Sequence, residues 1–261
     1  MQKTGYPDYL SSVSLGKINY ETFPLKAENN FLPDLQAIPE EVAKRAKFIY
    51  VNYPNNPTGA VATAAFYEEL VAWAKKYEVG VVSDLAYGAL GADGYVNPSF
   101  LSTPGAKDVG IELYTFSKTF NMAGWRLAFA AGNEQLIEAL NLLQDHLFVS
   151  IFPAIQDAGA VALLDEKAKA AIAGLNQKYN ERRHAFVQAA EKIGWHAFES
   201  KGSFYAWMPV PEGYDSESFA DLLLNEAHVA VAPGKGFGEQ GDGYVRIGLL
   251  VEPDRLVEAV E

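Results

Sequence analysis

The chain has 261 residues, a formal net charge of −12 at pH 7 and no cysteine. Without cysteine it has no disulfide, no thiolate metal ligand and no cysteine nucleophile. The acidic charge repels nucleic acid and anionic membranes, so neither is an expected partner. The composition, 49% hydrophobic and 21% charged, is ordinary for a globular protein of one large or two modest domains.

Three further features, which concern the histidines, the first ten residues and the longest apolar run, exclude other classes of protein. The four histidines, at positions 146, 184, 196 and 228, are scattered without metal-binding spacing, so no metal site is expected. Residues 1–10 lack the apolar segment of a signal peptide. The longest apolar run, over residues 147–155, is too short to cross a bilayer. We therefore expect a cytoplasmic protein.

In the first 150 residues, short apolar runs alternate with amphipathic helical segments. This alternation predicts an α/β fold with a largely parallel sheet, whose ligands bind at the carboxyl ends of the strands. The predicted elements are a strand over 18–25, a short helix from Pro39, a strand over 48–51, a helix capped by Thr63, strands over 79–83, 111–117 and 127–131, and a helix capped by Asn133 with Leu136, Leu140, Leu143 and Leu147 on its apolar face.

The second part of the chain has a different pattern. An alanine-rich stretch with apolar residues at helical spacing predicts a long helical region over 153–193, which ends before Gly194. The glycine-rich residues 234–238 match no nucleotide-binding motif and are interpreted as a flexible approach to the last strand. Beyond Gly194 the predicted elements are strands over 195–198, 204–210, 229–232 and 244–250 and helices over 219–226 and 255–260.

The stretch 114–126 is the centre of the functional interpretation. Its apolar residues predict a strand that ends at Lys118. A lysine at such a junction is usually solvated, but a partly buried amine can lose its proton and react with a carbonyl. The hydroxyls of Thr115 and Ser117 lie near Arg126 in sequence, and hydroxyls beside a guanidinium suit a phosphate. Together these residues indicate a covalently held phosphorylated aldehyde, which is pyridoxal phosphate.

Polar residues that follow the other predicted strands each admit a structural and a functional interpretation. Asp84 can cap a turn, or it can pair with the protonated ring nitrogen of the cofactor. Tyr87 can pack in the core, or it can donate a hydrogen bond to the phenolic oxygen of the ring. Asn56 can serve only to form the turn over residues 55–59, or it can bind the same phenolic oxygen from another side. Arg246 can lie on a solvated strand face, or it can bind a substrate α-carboxylate through its two-pronged guanidinium.

Four motifs resemble, in order and spacing, those of the class I/II pyridoxal-phosphate-dependent aminotransferases of fold type I, the aspartate aminotransferase superfamily. The resemblance covers essentially the whole chain. The sequence around Tyr6 and that of residues 121–126 are most similar to the branch that contains diaminopimelate- and alanine-type aminotransferases. The motifs are Asn-Asn-Pro-Thr-Gly at 55–59, Ser-Asp-Leu-Ala-Tyr at 83–87, Thr-Phe-Ser-Lys-Thr at 115–119 with Gly-Trp-Arg at 124–126, and Gly-Tyr-Val-Arg-Ile-Gly at 243–248.

This resemblance implies an enzyme that moves an amino group between an amino acid and a 2-keto acid through a Schiff base on Lys118. It also implies a homodimer, provided that the complete large domain is present. By the resemblance, Asp84 holds the pyridine nitrogen, Asn56 and Tyr87 hold the phenolic oxygen, Thr115, Ser117 and Arg126 bind the phosphate, Tyr6 stacks on the ring, and Arg246, with Asn56, binds the substrate carboxylate.

The resemblance also predicts the domain organisation. Residues 1–152 correspond to a pyridoxal-phosphate-binding large domain, residues 153–193 to a connecting helical region, and residues 194–261 to a smaller α+β domain. Family members carry a longer segment before the motif at Tyr6. We therefore expect an incomplete large domain and an N-terminally truncated relative of the family.

Three alternatives remain open from the sequence. Another pyridoxal-phosphate chemistry on the same scaffold, such as carbon–sulfur lysis, uses the same lysine. A non-catalytic cofactor-binding module, as in transcription regulators built on this fold, also resembles the chain, although those carry a DNA-binding domain upstream. The third alternative is a truncated, inactive protein with the same fold.

Overall fold

The computed structural model describes residues 1–261 and contains ten α-helices and seven strands in two sheets. The elements alternate in the first half of the chain, as expected for an α/β fold. In chain order they are α1 (Asp8–Leu15), α2 (Glu40–Arg45), β1 (Phe48–Asn52), α3 (Ala64–Tyr77), β2 (Gly80–Asp84), α4 (Ala106–Val109), β3 (Gly110–Thr115), α5 (Phe116–Thr119), β4 (Ala128–Gly132), α6 (Glu134–Leu147), α7 (Pro153–Leu164), α8 (Glu166–Lys192), β5 (Tyr205–Pro209), α9 (Ser216–Glu226), β6 (Ala232–Pro233), β7 (Tyr244–Gly248) and α10 (Pro253–Glu258).

The first sheet has the strand order β1-β2-β3-β4. The first three strands are parallel, and β4 runs antiparallel to β3. Asn52, at the end of β1, pairs with Asp84, at the end of β2. Because parallel strands present their carboxyl ends at one edge, the polar residues that follow them lie on the same side of the molecule. The expected largely parallel sheet is confirmed.

Helix α3 shows how the sequence produces these elements. Thr63 caps its first turn, because its hydroxyl oxygen accepts a hydrogen bond from the Phe66 N–H at 3.1 Å. Phe66, Leu70 and Ala74 recur at helical spacing and are all buried in the main hydrophobic core with β1 and β2. The predicted cap and buried face of this helix are therefore confirmed.

Two of the predicted strands of the first half are wrong in part or whole. Residues 18–25 form no strand: a single bridge joins Phe23 to Gln2, and Ile18 and Tyr20 are exposed. The apolar alternation there reflects two buried side chains, those of Phe23 and Leu25, rather than a paired strand. The strand predicted over 111–117 ends at Thr115, since the next residues turn into α5.

The helical region over 153–193 is two helices rather than one. The chain breaks at Asp165, whose extended backbone ends α7 and whose carboxylate caps α8 by accepting the Lys167 N–H at 2.7 Å. Gly194 follows α8 with a φ of +76°, a conformation that favours glycine. The strand predicted over 195–198 does not form, and that over 229–232 is reduced to the two residues of β6.

The second sheet is antiparallel, with the order β5-β7-β6. It contacts the first core directly, because Trp207 of β5 is fully buried in the same cluster as the residues of α3. Phe237 belongs to that cluster as well. The division into domains over 1–152, 153–193 and 194–261 stays a prediction.

One part of the surface is unusually apolar. Helix α6, capped by Asn133 as predicted, has no buried residue, although Leu140, Leu143 and Leu147 lie along one stripe. Strand β4 is the last strand of its sheet, with Phe129 exposed. We call α6, β4 and the start of α7 the apolar face.

None of the helices combines the length with the apolar character that crossing a bilayer requires.

Candidate active site

Lys118 lies in the short helix α5, just beyond the end of β3, rather than at the end of a strand as predicted. Its side chain is half-buried, and the ammonium lies 5.9 Å from the centre of the Phe204 ring. Burial lowers the pKa of this amine, and the positive charges of Arg246 and Arg126 lower it further. A larger fraction of the amine is therefore neutral at a given pH, which is the form that attacks a carbonyl.

Asp84 ends β2, and both of its carboxylate oxygens accept hydrogen bonds. Tyr9 donates its hydroxyl to Oδ2 at 2.5 Å, and the Ala86 N–H donates to Oδ1 at 3.0 Å. Burial raises the pKa of Asp84, and these two hydrogen bonds oppose that rise. Each oxygen keeps a lone pair for a further donor, such as a protonated ring nitrogen.

Helix α1 brings Tyr9 to Asp84, and the sequence analysis missed this residue. Tyr9 and Tyr6 are one helical turn apart, and their rings meet edge to face at 5.9 Å. No local sequence pattern indicates that Tyr9 contacts Asp84, because 75 residues separate the two positions. Tyr6 itself is 43% exposed.

Asn56 and Arg246 are separated by 190 residues and meet directly. Arg246 donates from Nη1 to Asn56 Oδ1 at 2.7 Å. The turn that carries Asn56 is held by the side chains of Asn52 and Asn55, which accept the N–H groups of Asn56 and Thr58 at 3.0 and 3.2 Å. The structure thus joins two residues that the sequence placed in separate motifs.

The Arg246 guanidinium lies close to two aromatic rings. Its central carbon is 4.3 Å from the centre of the Tyr205 ring and 4.5 Å from that of Phe237. Phe237 comes from the glycine-rich residues 234–238, which form a helical turn packed against β7 rather than a merely flexible approach. The residue is half-buried, and its guanidinium contacts these rings and Asn56 rather than pointing only into solvent.

Tyr87 lies in a small buried cluster of aromatic residues beside this arginine. Its hydroxyl oxygen is 3.4 Å from that of Tyr205. Burial raises the pKa of Tyr87, with a further contribution from Tyr205, while Arg246 opposes the rise. Tyr205 thus contacts both Arg246 and Tyr87, and the sequence analysis did not single it out.

The three predicted phosphate ligands do not form one contact set. Thr115 Oγ1 donates to Ser117 Oγ at 3.0 Å and accepts the Ser117 N–H at 3.2 Å, which caps α5. Arg126 is exposed and donates to the carbonyl of Ala123 at 3.0 Å. Its charge nevertheless reaches Lys118, since it lowers the pKa of that amine.

The chemistry of these residues fits pyridoxal phosphate. The site offers an amine of lowered pKa, a carboxylate with free lone pairs, and hydroxyls with a guanidinium near the amine. These groups match the aldehyde, the basic ring nitrogen and the phosphate of that cofactor. The roles of the individual residues stay predictions.

Comparison with known proteins gives consistent matches along the whole chain. The family model for aminotransferases of class I and II matches residues 1–261. The L-glutamine–4-(methylsulfanyl)-2-oxobutanoate aminotransferase of Bacillus subtilis is 56% identical over 255 residues, which cover 98% of this chain and 64% of that protein. The LL-diaminopimelate aminotransferase of Moorella thermoacetica is 46% identical, with 98% of this chain and 65% of that protein covered.

A solved structure confirms the fold class. The structure of apo-BacF from Bacillus subtilis matches with a TM-score of 0.94 at 44% identity, over 98% of this chain and 65% of that chain. This chain therefore spans slightly less than two thirds of the length of these relatives. The fold type I architecture and the resemblance drawn from the four motifs are both confirmed, and the chain belongs to the class I and II aminotransferase family.

Proposed function

We propose that this chain carries the active-site lysine of a pyridoxal-phosphate-dependent aminotransferase, which moves an amino group between an amino acid and a 2-keto acid. The observation that supports the proposal best is the half-buried Lys118, whose pKa is lowered by burial and by Arg246 and Arg126. Such an amine combines the two properties that imine chemistry needs, a nucleophilic neutral form and proximity to cationic groups for anionic ligands.

The cofactor would be held by groups at opposite ends of the site. Asp84 would hold the ring nitrogen, with its own carboxylate fixed by Tyr9 and Ala86. Tyr6 would stack on the ring. Asn56 and Tyr87 would hold the phenolic oxygen, and Thr115, Ser117 and Arg126 would bind the phosphate.

When bound, pyridoxal phosphate supplies an aldehyde that condenses with amines and a ring that withdraws electrons. The chain supplies the proton transfer. Lys118 Nζ, once neutral, could accept a proton from the substrate α-carbon and would return it to the carbonyl carbon of the cofactor, because its lowered pKa brings it nearer to the operating pH. Arg246 would orient the substrate by its α-carboxylate, with Asn56 fixing the guanidinium.

The names of the relatives suggest the kind of substrate. They are aminotransferases of L-glutamine with 4-(methylsulfanyl)-2-oxobutanoate and of LL-diaminopimelate. We extend the proposal to amino acid and 2-keto acid substrates of this kind, to a homodimer and to the cytoplasm. Assays with both pairs of substrates and sedimentation of the purified protein test the first two extensions.

The first test is reductive trapping. The purified chain is mixed with pyridoxal phosphate, reduced with borohydride and digested, and the modified peptide is identified by mass. We expect one adduct per chain, on Lys118, and its loss in Lys118→Ala. Lys76→Ala is the matched control, because Lys76 is exposed and a hydrogen bond to Tyr77 raises its pKa.

The pH dependence separates a site from random labelling. Since the pKa of Lys118 is lowered and that of Lys76 is raised, Lys118 becomes neutral at a lower pH and should be trapped first as the pH rises. Labelling that spreads evenly over surface lysines, or that persists in Lys118→Ala, would contradict the proposal.

Product analysis separates the proposed reaction from carbon–sulfur lysis on the same scaffold. A transaminase gives a paired amino acid and keto acid, whereas a lyase gives pyruvate with ammonia. A chain that traps the cofactor on Lys118 but releases ammonia would keep the site and overturn the reaction.

A further inference from the structure

Tyr205 occupies a junction between two parts of the site. It is the first residue of β5, is 7% exposed and pairs across the sheet with Gly248 of β7. One face of its ring lies 4.3 Å from the guanidinium carbon of Arg246. Its hydroxyl oxygen lies 3.4 Å from that of Tyr87. Tyr205 therefore contacts both Arg246 and Tyr87.

The ring and the hydroxyl of Tyr205 do different things. The ring attracts the guanidinium through its π-electrons, and the ring of Phe237, whose centre is 4.5 Å from the guanidinium carbon, attracts it as well. The hydroxyl shares a hydrogen bond with Tyr87, and either oxygen can donate. Since a phenol has one proton and two lone pairs, the direction of this bond decides whether Tyr87 can donate elsewhere.

We propose that Tyr205 is a positioning residue that couples the Arg246 fork to the hydroxyl of Tyr87. A carboxylate on Arg246 reduces the positive charge at the Tyr205 ring and thereby changes the hydrogen bond between Tyr205 and Tyr87. This inference rests on the proposed function for the roles of Arg246 and Tyr87. It adds a residue, and a link between the two binding groups, that the proposed function does not contain.

The test observes Tyr87 directly and needs no cofactor. The chain is labelled with ¹³C at the Cζ atom of its 14 tyrosines, and the Tyr87 signal is assigned by its loss in Tyr87→Phe. Without ligand, Tyr205→Phe should displace the Tyr87 signal. Tyr67→Phe is the matched control, because Tyr67 is also buried and its hydroxyl has no hydrogen-bond partner. An unmoved Tyr87 signal in Tyr205→Phe would overturn the link.

Sodium acetate then serves as the carboxylate probe. We expect the Tyr87 signal of the natural chain to shift as acetate binds, and Tyr205→Phe to abolish that shift while keeping the acetate Kd within about threefold, since the ring remains. Tyr205→Leu, which removes the ring, should weaken acetate binding roughly tenfold. A Tyr87 shift that is the same in Tyr205→Phe as in the natural chain would overturn the coupling.

Failure of the proposed function gives a different result. If Arg246→Gln binds acetate as tightly as the natural chain does, Arg246 does not bind the carboxylate, and the role of Arg246 in the proposed function is wrong. The comparison without ligand still decides the link between Tyr205 and Tyr87 in that case. A merely structural role for Tyr205 predicts no difference between Tyr205→Phe and Tyr67→Phe in the Tyr87 signal.

Discussion

The hydrogen bond from Tyr9 affects the free energy of unfolding through the ionised carboxylate of Asp84. Its hydroxyl donates to that carboxylate at 2.5 Å, and burial already raises the pKa of Asp84. A group with a folded pKa above its unfolded value destabilises the fold when it is charged, at pH values above its folded pKa. The hydrogen bond from Tyr9 reduces that penalty, because it favours the charged form.

Tyr9→Phe should therefore lower the free energy of unfolding by about 1.5–3 kcal/mol at pH 8, the range for a hydrogen bond to a charged group. The loss should shrink as the pH falls through the raised pKa of Asp84, since the protonated carboxyl makes weaker bonds. Urea unfolding of both proteins at a series of pH values from 8 downward measures the loss and its pH dependence.

Tyr50→Phe is the control for this variant. The Tyr50 ring packs on that of Tyr9 with centroids 4.5 Å apart, so the change removes a neighbouring hydroxyl but no bond to Asp84. An equal loss in the two variants, or a loss in Tyr9→Phe that does not depend on pH, would show that Tyr9 acts through packing alone.

Residue identities were predictable where a motif carried them, and residue partnerships were not. Lys118, Asp84 and Arg246 were all singled out from the sequence. Tyr9 and Tyr205 were not, because their role depends on which side chains meet in three dimensions. Contact between positions as distant as 9 and 84 leaves no local pattern in a single sequence.

Among the elements, the junction of β3 and α5 shows two uses of one hydroxyl. Thr115 Oγ1 accepts the Ser117 N–H at 3.2 Å, which ends the strand and begins a helical turn. The sequence analysis interpreted both hydroxyls as phosphate ligands and extended the strand to Ser117. The capping signal was present, but an apolar run over 111–116 favoured a longer strand.

Strand β3 also carries a buried carboxylate outside the proposed site. Glu112 is 6% exposed and accepts three hydrogen bonds, from the Ser99 hydroxyl at 2.5 Å, the Phe100 N–H at 2.8 Å and the Ser83 hydroxyl at 3.3 Å. Two of these donors lie in the turn that precedes β3. The carboxylate therefore fastens that turn to the sheet.

Glu112→Ala should destabilise the chain by about 2–4 kcal/mol, because it leaves a buried N–H and two hydroxyls without an acceptor and opens a cavity. Amide hydrogen exchange should become faster over residues 99–102. Thermal unfolding and exchange measured by mass spectrometry give the two readouts.

Glu138→Ala provides the matched change at an exposed position of α6. Glu112→Gln keeps one acceptor oxygen and should lie between the natural chain and the alanine variant. If exchange at Phe100 stays at its natural rate in Glu112→Ala, the carboxylate does not hold the turn.

At the scale of the whole molecule, periodicity predicted which residues form the apolar face but not whether another surface covers it. The spacing of Leu136, Leu140, Leu143 and Leu147 correctly placed them on one side of α6. No residue of α6 is buried, so this side of the helix is uncovered in this chain. Periodicity identifies which residues share a face, but it does not identify the surface that covers that face.

This face should make the chain associate at high concentration. Leu143 and Leu147 are 55% and 63% exposed, and burying a leucine contributes about 1.5–3 kcal/mol. The double change Leu143→Gln and Leu147→Gln should therefore weaken self-association at least roughly tenfold. Sedimentation over a range of concentrations measures the effect.

Val96→Gln is the control, because Val96 is 84% exposed in a loop away from α6. A double variant that associates as strongly as Val96→Gln would locate the associating surface elsewhere.

The contact between Asn56 and Arg246 has a consequence for what position 56 can be. The amide offers its oxygen to the guanidinium at 2.7 Å and leaves its NH₂ free to donate. Aspartate has the same shape, but it would give the arginine an internal counter-ion and would lose the donor. An incoming carboxylate would then have to displace a charge already present. Asparagine holds the guanidinium in place without neutralising its positive charge, which remains available to a ligand.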